Sequence, residues 1–273
     1  MTGRSILVTG STDGLGLAVA TRAVALGHTV FLHGRSAQRV EAAADRIEEH
    51  TGNRPTGVIA DFSRLAEVAS IPDQLAELTD HLDTVINNAG IGTGEPDGRH
   101  RSESADGYEL RLAVNYLAPF SLTLRLLPML VRGTDPRIVN VASDGQAEVD
   151  FENLMLTHDY SGLQAYCQSK LALVAFGFTL ANKTAATVNS LHPGSFMPTK
   201  IVLDDGAAVV DDLEGGVAAI LGLATDPAYA GVTGRYFERL RESRPLAQAY
   251  DPGFRDRLWR TSVELTGARE PIS

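Results

Sequence analysis

The chain has 273 residues, 44% of them hydrophobic and 21% charged, and its formal net charge is -10. This globular composition and length fit one large α/β domain, which we expect to span residues 1–273. An acidic chain without a cluster of Lys and Arg argues against nucleic acids and anionic membranes as partners. Because Cys167 is the only cysteine, an intrachain disulfide and a cysteine-based metal site are both excluded.

No apolar run reaches the length of a membrane span, and residues 1–5 lead into a strand pattern without a signal-peptide region. These features predict a cytoplasmic protein with no membrane partner. The histidines His100, His158 and His192 lack the spacing of metal ligands, so no metal site is predicted.

Short apolar runs alternate with helical patterns along the chain. Seven strands are predicted, at residues 5–9, 28–33, 55–60, 83–87, 137–142, 187–192 and 234–237. Helices are predicted at residues 17–26, 36–50, from 63 with an interruption near Pro72, 104–130, 163–182, 213–224 and 253–265. Strands that alternate with helices of this length require parallel crossovers. The sequence therefore predicts an α/β fold, a doubly wound parallel sheet of seven strands with helices on both faces.

Three glycines, Gly10, Gly14 and Gly16, occupy the turn between the first strand and the first helix. Gly10 allows a tight turn, Gly14 lets the backbone approach a pyrophosphate, and Gly16 lets helix and strand pack closely. The free N–H groups at the helix start attract phosphates. The context predicts dinucleotide binding, with a plain turn as the alternative. The other residues of this turn expected at the cofactor are Ser11, Thr12 and Leu15.

The end of the second strand leads into the run His33-Gly34-Arg35, which contains no acid. A carboxylate would bind the ribose 2′-OH of NAD(H), whereas an arginine can pair with a 2′-phosphate. NADP(H) is therefore favoured over NAD(H), with a solvated arginine as the alternative. Further residues expected at the cofactor are Asp61 and Phe62 after the third strand and Asn88, Ala89 and Gly90 after the fourth.

Tyr166 and Lys170 are four residues apart on a predicted helix, so they lie one turn apart on the same face. A free phenol has a pKa of about 10. A neighbouring ammonium favours the phenolate and so lowers that pKa. A tyrosine tuned in this way can exchange a proton with a reacting oxygen. The alternative for this spacing alone is an ordinary surface pair.

Six motifs occur at successive strand ends, and together they resemble the short-chain dehydrogenase/reductase family over essentially the whole chain. The motifs are Thr9-Gly10-x-x-x-Gly14-x-Gly16, Asn87-Asn88-Ala89-Gly90, Asn115, Ser143, Tyr166-x-x-x-Lys170 and Pro193-Gly194. The resemblance implies a Rossmann-like sheet, a nicotinamide cofactor that contacts Pro193 and Gly194, and a catalytic set of Asn115, Ser143, Tyr166 and Lys170.

Longer matching segments make the chain most similar to the retinol-dehydrogenase-like branch and its soluble bacterial relatives. They are Arg35, residues 137–143, residues 165–172 and residues 191–194, with a long segment between Ser143 and Tyr166. Three features depart from the family: Ala142 replaces a common Ser before Ser143, Thr199 stands one position later than usual, and no membrane anchor precedes the first strand. The expected lack of an anchor weakens retinoids as the expected substrate.

The resemblance implies reversible hydride transfer between a nicotinamide and a carbonyl carbon. Tyr166 would protonate the carbonyl oxygen, and Ser143 would donate a hydrogen bond to it. Lys170 would also hold the nicotinamide ribose, and Asn115 would hold a water that links Lys170 to solvent. The cofactor supplies the hydride, and the protein supplies orientation and electrostatics.

Two apolar, loop-like segments are expected to shape the substrate pocket. The first covers residues 145–162 and contains Phe151, Leu154, Met155, Leu156 and Tyr160. The second covers about residues 196–213 and is expected to close as a lid over a bulky, apolar alcohol or carbonyl compound. By the same resemblance, faces carrying Leu122, Leu126, Leu171 and Phe178 would pair in a homo-oligomer, a dimer or tetramer, unless the chain itself covers them.

Two other functions stay open at this point. A nucleotide-sugar epimerase or dehydratase shares Tyr-x-x-x-Lys but usually has a larger C-terminal domain, and only a short tail follows Gly234 here. A non-catalytic sensor of NADP(H) would be expected to have lost Tyr166 or Lys170, and both are present. An oxidoreductase is therefore favoured.

Overall fold

A computed structural model of the protein describes residues 3–94, 98–195, 197 and 211–270. The strands are β1 Ser5–Val8, β2 Thr29–Gly34, β3 Thr56–Ile59, β4 Thr84–Asn87, β5 Arg137–Val141, β6 Thr187–His192, β7 Arg235–Glu238 and β8 Arg241–Ser243. They form one sheet in the order β3-β2-β1-β4-β5-β6-β7-β8. Strands β1 to β7 pair in parallel, and β8 pairs antiparallel to β7.

The prediction of a doubly wound parallel sheet is confirmed, but the sheet has an eighth strand. Strand β8 has three polar residues, so it gives no apolar pattern from which a strand is predicted. It joins the sheet as a hairpin partner, because a two-residue connection, Arg239 and Leu240, lets it fold back and pair with β7. Arg239 has a φ of 55°, a left-handed conformation that suits a tight hairpin turn.

Helices cover both faces of the sheet. They are α1 Gly14–Ala25, α2 Ala37–Thr51, α3 Leu65–Ala76, α4 Leu110–Val131, α5 Gly162–Leu180, α6 Leu213–Thr225 and α7 Pro252–Thr266. Buried residues of α1, α2 and α6 form the apolar core on one face. Those of α3, α4, α5 and α7 form the larger core on the other. Each strand that lies between these cores is apolar on both sides, as a covered parallel sheet requires.

Two helix predictions were wrong in detail. Helix α3 is not interrupted at Pro72, because Val68, Ile71 and Leu75 anchor one buried stripe across the proline. Helix α4 begins at Leu110 rather than near residue 104, since a bridge between Glu103 and Glu109 closes a turn first. It also contains a π-helical turn over Ala113–Leu117.

The C-terminal helix α7 covers the outer faces of α4 and α5. Its Trp259 ring lies 5.3 Å from the Phe120 ring and 6.1 Å from the Phe176 ring. The residues expected to face a second subunit are buried within the chain, at 5% exposure or less: Leu122, Leu126, Leu171 and Phe178. These four positions are therefore filled by contacts inside one chain, and they give no support to the predicted oligomer.

One helix in the described residues, Leu110–Val131, is long and apolar enough to cross a membrane by length and composition. The prediction that no segment reaches that length was therefore wrong by this criterion. Within the protein, 78% of its most apolar window is buried, as for the core helix of a folded domain.

Candidate functional site

A cleft of about 900 Å³ runs along the carboxyl ends of the parallel strands. Ligands bind at this edge in doubly wound sheets. Most of the predicted site residues line it: Gly10, Thr12, Gly14, Leu15, Gly16, Arg35, Asp61, Phe62, Asn88, Ala89, Gly90, Ser143, Tyr166, Lys170, Pro193 and Gly194. The two predicted residues outside this lining are Ser11 and Asn115, and both are fully buried.

The glycine turn leaves no room for side chains beside β4. Gly10 has a φ of 64°, and a Cβ there would lie 2.7 Å from Ala89 Cα. A Cβ on Gly16 would overlap Gly10 O and Asn88 Nδ2. Asn88 Nδ2 donates to Thr9 O at 2.9 Å and to Gly10 O at 3.2 Å. The ends of β1 and β4 are thus tied together, with the backbone of the turn open to the cleft.

His33 supports this turn from below, and sequence reasoning missed it. Its ring is buried, faces Gly10 N and Ala60 O, and lies 4.3 Å from the Phe62 ring. The Ser11 hydroxyl accepts from the backbone N–H of His33 at 2.9 Å, which explains why Ser11 points away from the cleft. A polar residue at a strand position with an apolar pattern was the only available signal.

Basic side chains gather where β2 ends. Arg35 and Arg39 both line the cleft. Arg35 precedes the N-cap residue Ser36, and Arg39 lies in the first turn of α2. The Arg39 guanidinium is 3.4 Å from Asp13 Oδ2, while Asp13 Oδ1 accepts from Gly14 N at 2.8 Å. Asp61 Oδ1 accepts from Ser63 N at 2.9 Å, so its predicted contact with adenine competes with a turn inside the chain. Sequence reasoning missed Arg39, although its spacing from Arg35 was visible.

Ser143 and Tyr166 approach each other across Gly145. A Cβ on Gly145 would lie 3.4 Å from Ser143 Oγ and 3.8 Å from Tyr166 Cε1. Ser143 Oγ accepts from Gly145 N at 3.0 Å, and Tyr236 Oη donates to Ser143 O at 2.9 Å. Tyr236, which the sequence did not identify, therefore fixes the backbone of Ser143.

Lys170 lies beneath Tyr166 on the same helix. Its Nζ is 5.6 Å from the centre of the Tyr166 ring and donates to Val141 O at 2.9 Å. Burial lowers the pKa of Lys170 from 10.5 to about 8. The predicted helical pairing of the phenol and the ammonium is thus present in the structure, and it faces the cleft.

Asn115 lies in the π-helical turn of α4, and its side-chain amide forms hydrogen bonds with other groups of the protein. Its Oδ1 accepts from Ile91 N at 2.8 Å. Its Nδ2 donates to Ile91 O at 3.1 Å and to Ser169 Oγ at 3.1 Å. The amide therefore holds Ile91 and α5, and the water expected at Asn115 stays a prediction.

One wall of the cleft near Tyr166 is apolar. It is lined by Ile91, Leu110, Val114, Leu163, Cys167 and Met197. Burial raises the pKa of the Cys167 thiol, which favours an uncharged, packing role. The described residues contain no group of three or more His, Cys, Asp and Glu side chains that could hold a metal ion.

Of the two segments expected to shape the pocket, the first differs from the prediction, and most of the second lies outside the described residues. In the first, Gly145 lines the cleft, but Phe151, Leu154 and Met155 pack against the core instead. Leu156 is buried, with a φ of 46°. Of the second segment, Met197 lines the cleft, whereas Phe196, Thr199 and the rest of 198–210 lie outside the described residues.

Comparisons with known proteins point to one protein family. The family model for short chain dehydrogenase matches residues 4–207. Human retinol dehydrogenase 13 is 30% identical, over 98% of this chain and 86% of its own length. Mouse polyprenol dehydrogenase is 33% identical, over 97% of this chain and 84% of its own length.

Solved structures show the same architecture. An uncharacterized protein from Mycobacterium paratuberculosis superposes with a TM-score of 0.76 and 26% identity, covering 99% of this chain and 96% of its own. A protein described as a short chain dehydrogenase from Escherichia coli CFT073, complexed with NADPH, superposes with a TM-score of 0.68 and 25% identity. That match covers 88% of this chain and 97% of the other.

The chain belongs to the short-chain dehydrogenase/reductase family. Within the family it falls in the retinol-dehydrogenase-like branch, so both steps of the predicted resemblance are confirmed. It is an oxidoreductase of the general type that interconverts alcohols and carbonyl compounds with a nicotinamide cofactor.

Proposed function

We propose that this protein is an NADP(H)-dependent oxidoreductase that interconverts a ketone or aldehyde with its alcohol, with Tyr166 as the general acid and base. One observation carries the proposal. A single cleft of about 900 Å³ joins the glycine turn after β1 to Ser143, Tyr166 and Lys170. A dinucleotide held at one end of such a cleft would present its nicotinamide at the other.

The residues that line the cleft fit the phosphate groups of NADP(H). A Cβ at Gly10 or Gly16 would collide with neighbouring backbone, so the turn keeps its amides uncovered at the start of α1. At the adenosine end, Arg35 and Arg39 bring two guanidinium groups to the cleft. Arginine pairs with phosphate through two parallel hydrogen bonds, which supports a 2′-phosphate there. Asp13 balances part of this charge.

Each of the proposed catalytic residues has a different role at the carbonyl oxygen. A bound NADPH supplies the hydride for reduction. Tyr166 donates its proton to the oxygen, and the Ser143 hydroxyl donates a hydrogen bond to it, where negative charge develops. The Lys170 ammonium stabilises the phenolate that Tyr166 becomes. For alcohol oxidation, Tyr166 takes the proton and the same contacts operate in reverse.

The apolar wall favours a bulky, apolar substrate. Ile91, Leu110, Val114 and Leu163 face the cleft on the side of α4 and α5. Leu163 is 62% exposed, so a ligand there would remove apolar surface from water. This is the substrate class that the wall fits best.

The test combines binding with turnover. NADPH and NADH are titrated by intrinsic fluorescence, and NADPH consumption is followed with a panel of ketones, aldehydes and quinones. We expect tighter binding of NADPH and reduction of apolar carbonyl compounds. Tyr166→Phe should bind NADPH within about twofold of wild type and lose turnover by at least about a hundredfold. Tyr250→Phe, at a tyrosine outside the cleft, is the matched control and should keep full activity.

Two results would contradict the proposal. Equal turnover by Tyr166→Phe would remove Tyr166 from the chemistry. Tight NADPH binding without reduction of any carbonyl compound would favour a redox sensor over an enzyme.

A further inference from the structure

Three segments on the substrate side of the cleft meet at Arg111, a residue that the proposed chemistry does not use. They are the loop after β4 (residues 90–94), the start of α4, and the turn that leads into α5 (residues 160–163). The Arg111 side chain is fully buried. It donates from Nε to Gly92 O at 2.7 Å and from its terminal nitrogens to Thr93 O at 2.7 Å and Tyr160 Oη at 2.6 Å. One guanidinium thus joins all three segments.

The charge of Arg111 is balanced inside the protein. Glu109 is also fully buried, with its Oε1 3.8 Å from an Arg111 nitrogen and its Oε2 accepting from Leu112 N at 2.7 Å. Tyr160 Oη donates to Glu109 Oε1 at 3.3 Å. Burial, and then the charge of Glu109, raise the pKa of Tyr160 to about 12. Tyr160 therefore stays protonated, donating to Glu109 while it accepts from Arg111.

Packing makes this junction tight. A Cβ on Gly162 would overlap Thr93 O and lie 3.1 Å from an Arg111 nitrogen, so the turn before α5 touches the loop directly. One helical turn after Arg111, Asn115 holds both backbone groups of Ile91. Helix α4 therefore forms hydrogen bonds with the backbone of three successive loop residues, Ile91, Gly92 and Thr93.

The segments joined at Arg111 contain the apolar residues that line the substrate side of the cleft. Ile91 and Thr93 line the cleft from the loop, Leu110 lines it from α4 beside Arg111, and Leu163 lines it from α5 beside Gly162. We propose that Arg111 is a positioning residue that fixes this wall and thereby sets how large a carbonyl compound the enzyme reduces. The substrate part of this inference rests on the proposed function.

The position of the wall should affect substrates according to their size. A short aldehyde has little apolar surface to bury against the wall, so we expect its turnover to depend little on where Ile91 and Leu163 lie. A long one packs on the wall, and this contact contributes equally to binding of the substrate and of the transition state, so its loss raises KM and leaves kcat unchanged. A loosened wall therefore raises KM for the long substrate alone.

Three variants test the role. Arg111→Lys keeps a cation but cannot bridge three acceptors with the geometry of a guanidinium. Tyr160→Phe removes only one hydroxyl at the junction. This milder variant still tests the role if Arg111→Lys does not fold. Tyr229→Phe is the matched control, since this half-buried tyrosine also donates to the backbone, to Leu240 O at 3.3 Å, away from the wall.

The readouts are hydrogen exchange of peptides covering 88–94 and 160–166, and the kinetics of NADPH-dependent reduction of propanal and decanal. We expect exchange to rise about tenfold or more in Arg111→Lys and less in Tyr160→Phe. KM for decanal should rise about tenfold in Arg111→Lys while kcat and KM for propanal change within about twofold. NADPH affinity should be unchanged.

The outcomes separate the two proposals. Two results together would overturn the role of Arg111. One is hydrogen exchange in Tyr160→Phe that is no faster than in Tyr229→Phe. The other is an equal loss of activity toward propanal and decanal in Arg111→Lys. If wild type reduces neither aldehyde, the carbonyl function is in question, and the exchange comparison alone still decides whether Arg111 fixes the wall.

Discussion

The imidazole of His33 accepts a hydrogen bond from the backbone N–H of Gly10 at 3.1 Å, between its Nδ1 atom and the first glycine of the dinucleotide turn. Because Nδ1 accepts, the proton of the neutral ring lies on Nε2, which donates to Ala60 O at 3.1 Å. One neutral imidazole therefore connects the ends of β1, β2 and β3. Protonation of Nδ1 would remove the acceptor and place a charge beneath the turn.

The first prediction follows from this contact. Burial lowers the pKa of His33 from 6.5 to about 4, so between these values the unfolded chain binds the proton and the folded chain does not. Stability should then fall with decreasing pH, by about 2 kcal/mol between pH 7 and pH 5. The measurement is urea unfolding at both pH values in wild type and His33→Asn. Burial also lowers the pKa of His28 and His192, so the difference between the two proteins isolates His33. An equal pH dependence in both would rule out this role.

A second prediction concerns Lys170 without cofactor. Its pKa is lowered by burial to about 8, so between pH 8 and 10.5 the unfolded chain holds a proton that the folded chain has lost. The free energy of unfolding should therefore gain about 2 kcal/mol from this group as the pH rises from 7 to 9.5. Lys170→Met should lack that gain. The experiment is guanidinium unfolding of both proteins at the two pH values, and parallel pH responses would contradict it.

Much of the fold and of the cleft is predictable because the evidence is local. The glycine turn and Ser143 each follow a strand whose apolar run is visible in the sequence, and the Tyr166–Lys170 pair lies on the helix between two such strands. Parallel topology then brings all these strand ends to one edge. The seven predicted strands agree with the structure to within one or two residues.

The features that were missed depend on contacts between distant segments. His33 reads as one polar residue in an apolar strand, and its role appears only when Gly10 and Ala60 are beside it. Arg111 looks like a charged residue of a helix surface, yet it is buried because Glu109 and the loop carbonyls surround it. No periodicity predicts such partners.

A third prediction addresses the C-terminal helix. Trp259 is 4% exposed and packs on Phe120 and Phe176, so Trp259→Ala should leave a cavity between α4, α5 and α7. We expect a loss of about 3–5 kcal/mol in the free energy of unfolding. Val131→Ala, which truncates a 70% exposed apolar side chain, is the control and should cost less than about 0.5 kcal/mol. Thermal and urea unfolding measure both. A small loss in Trp259→Ala would show that α7 does not stabilise this face.

The same variant distinguishes a covering role of α7 from an oligomeric one. If α7 covers α4 and α5, its loosening should expose apolar surface, and Trp259→Ala should self-associate at concentrations where wild type does not. Sedimentation velocity of both proteins across a range of concentrations tests this. A wild type that is already dimeric, with Trp259→Ala unchanged, would place the subunit contact elsewhere.

The last prediction concerns the choice between NADPH and NADH. Arg35 and Arg39 both line the cleft near the end of β2, where the proposal places the adenosine 2′-phosphate, and Asp13 lies 3.4 Å from Arg39. A charge-assisted hydrogen bond contributes about 1.5–3 kcal/mol, so Arg35→Asp should weaken NADPH binding at least about tenfold while NADH binding improves or holds. Asp13→Asn frees Arg39 and should tighten NADPH alone. Calorimetric titration of both nucleotides measures each change, with Arg22→Gln on the exposed end of α1 as the control. An unchanged ratio of the two affinities in Arg35→Asp would mean that this arginine does not contact the 2′-phosphate.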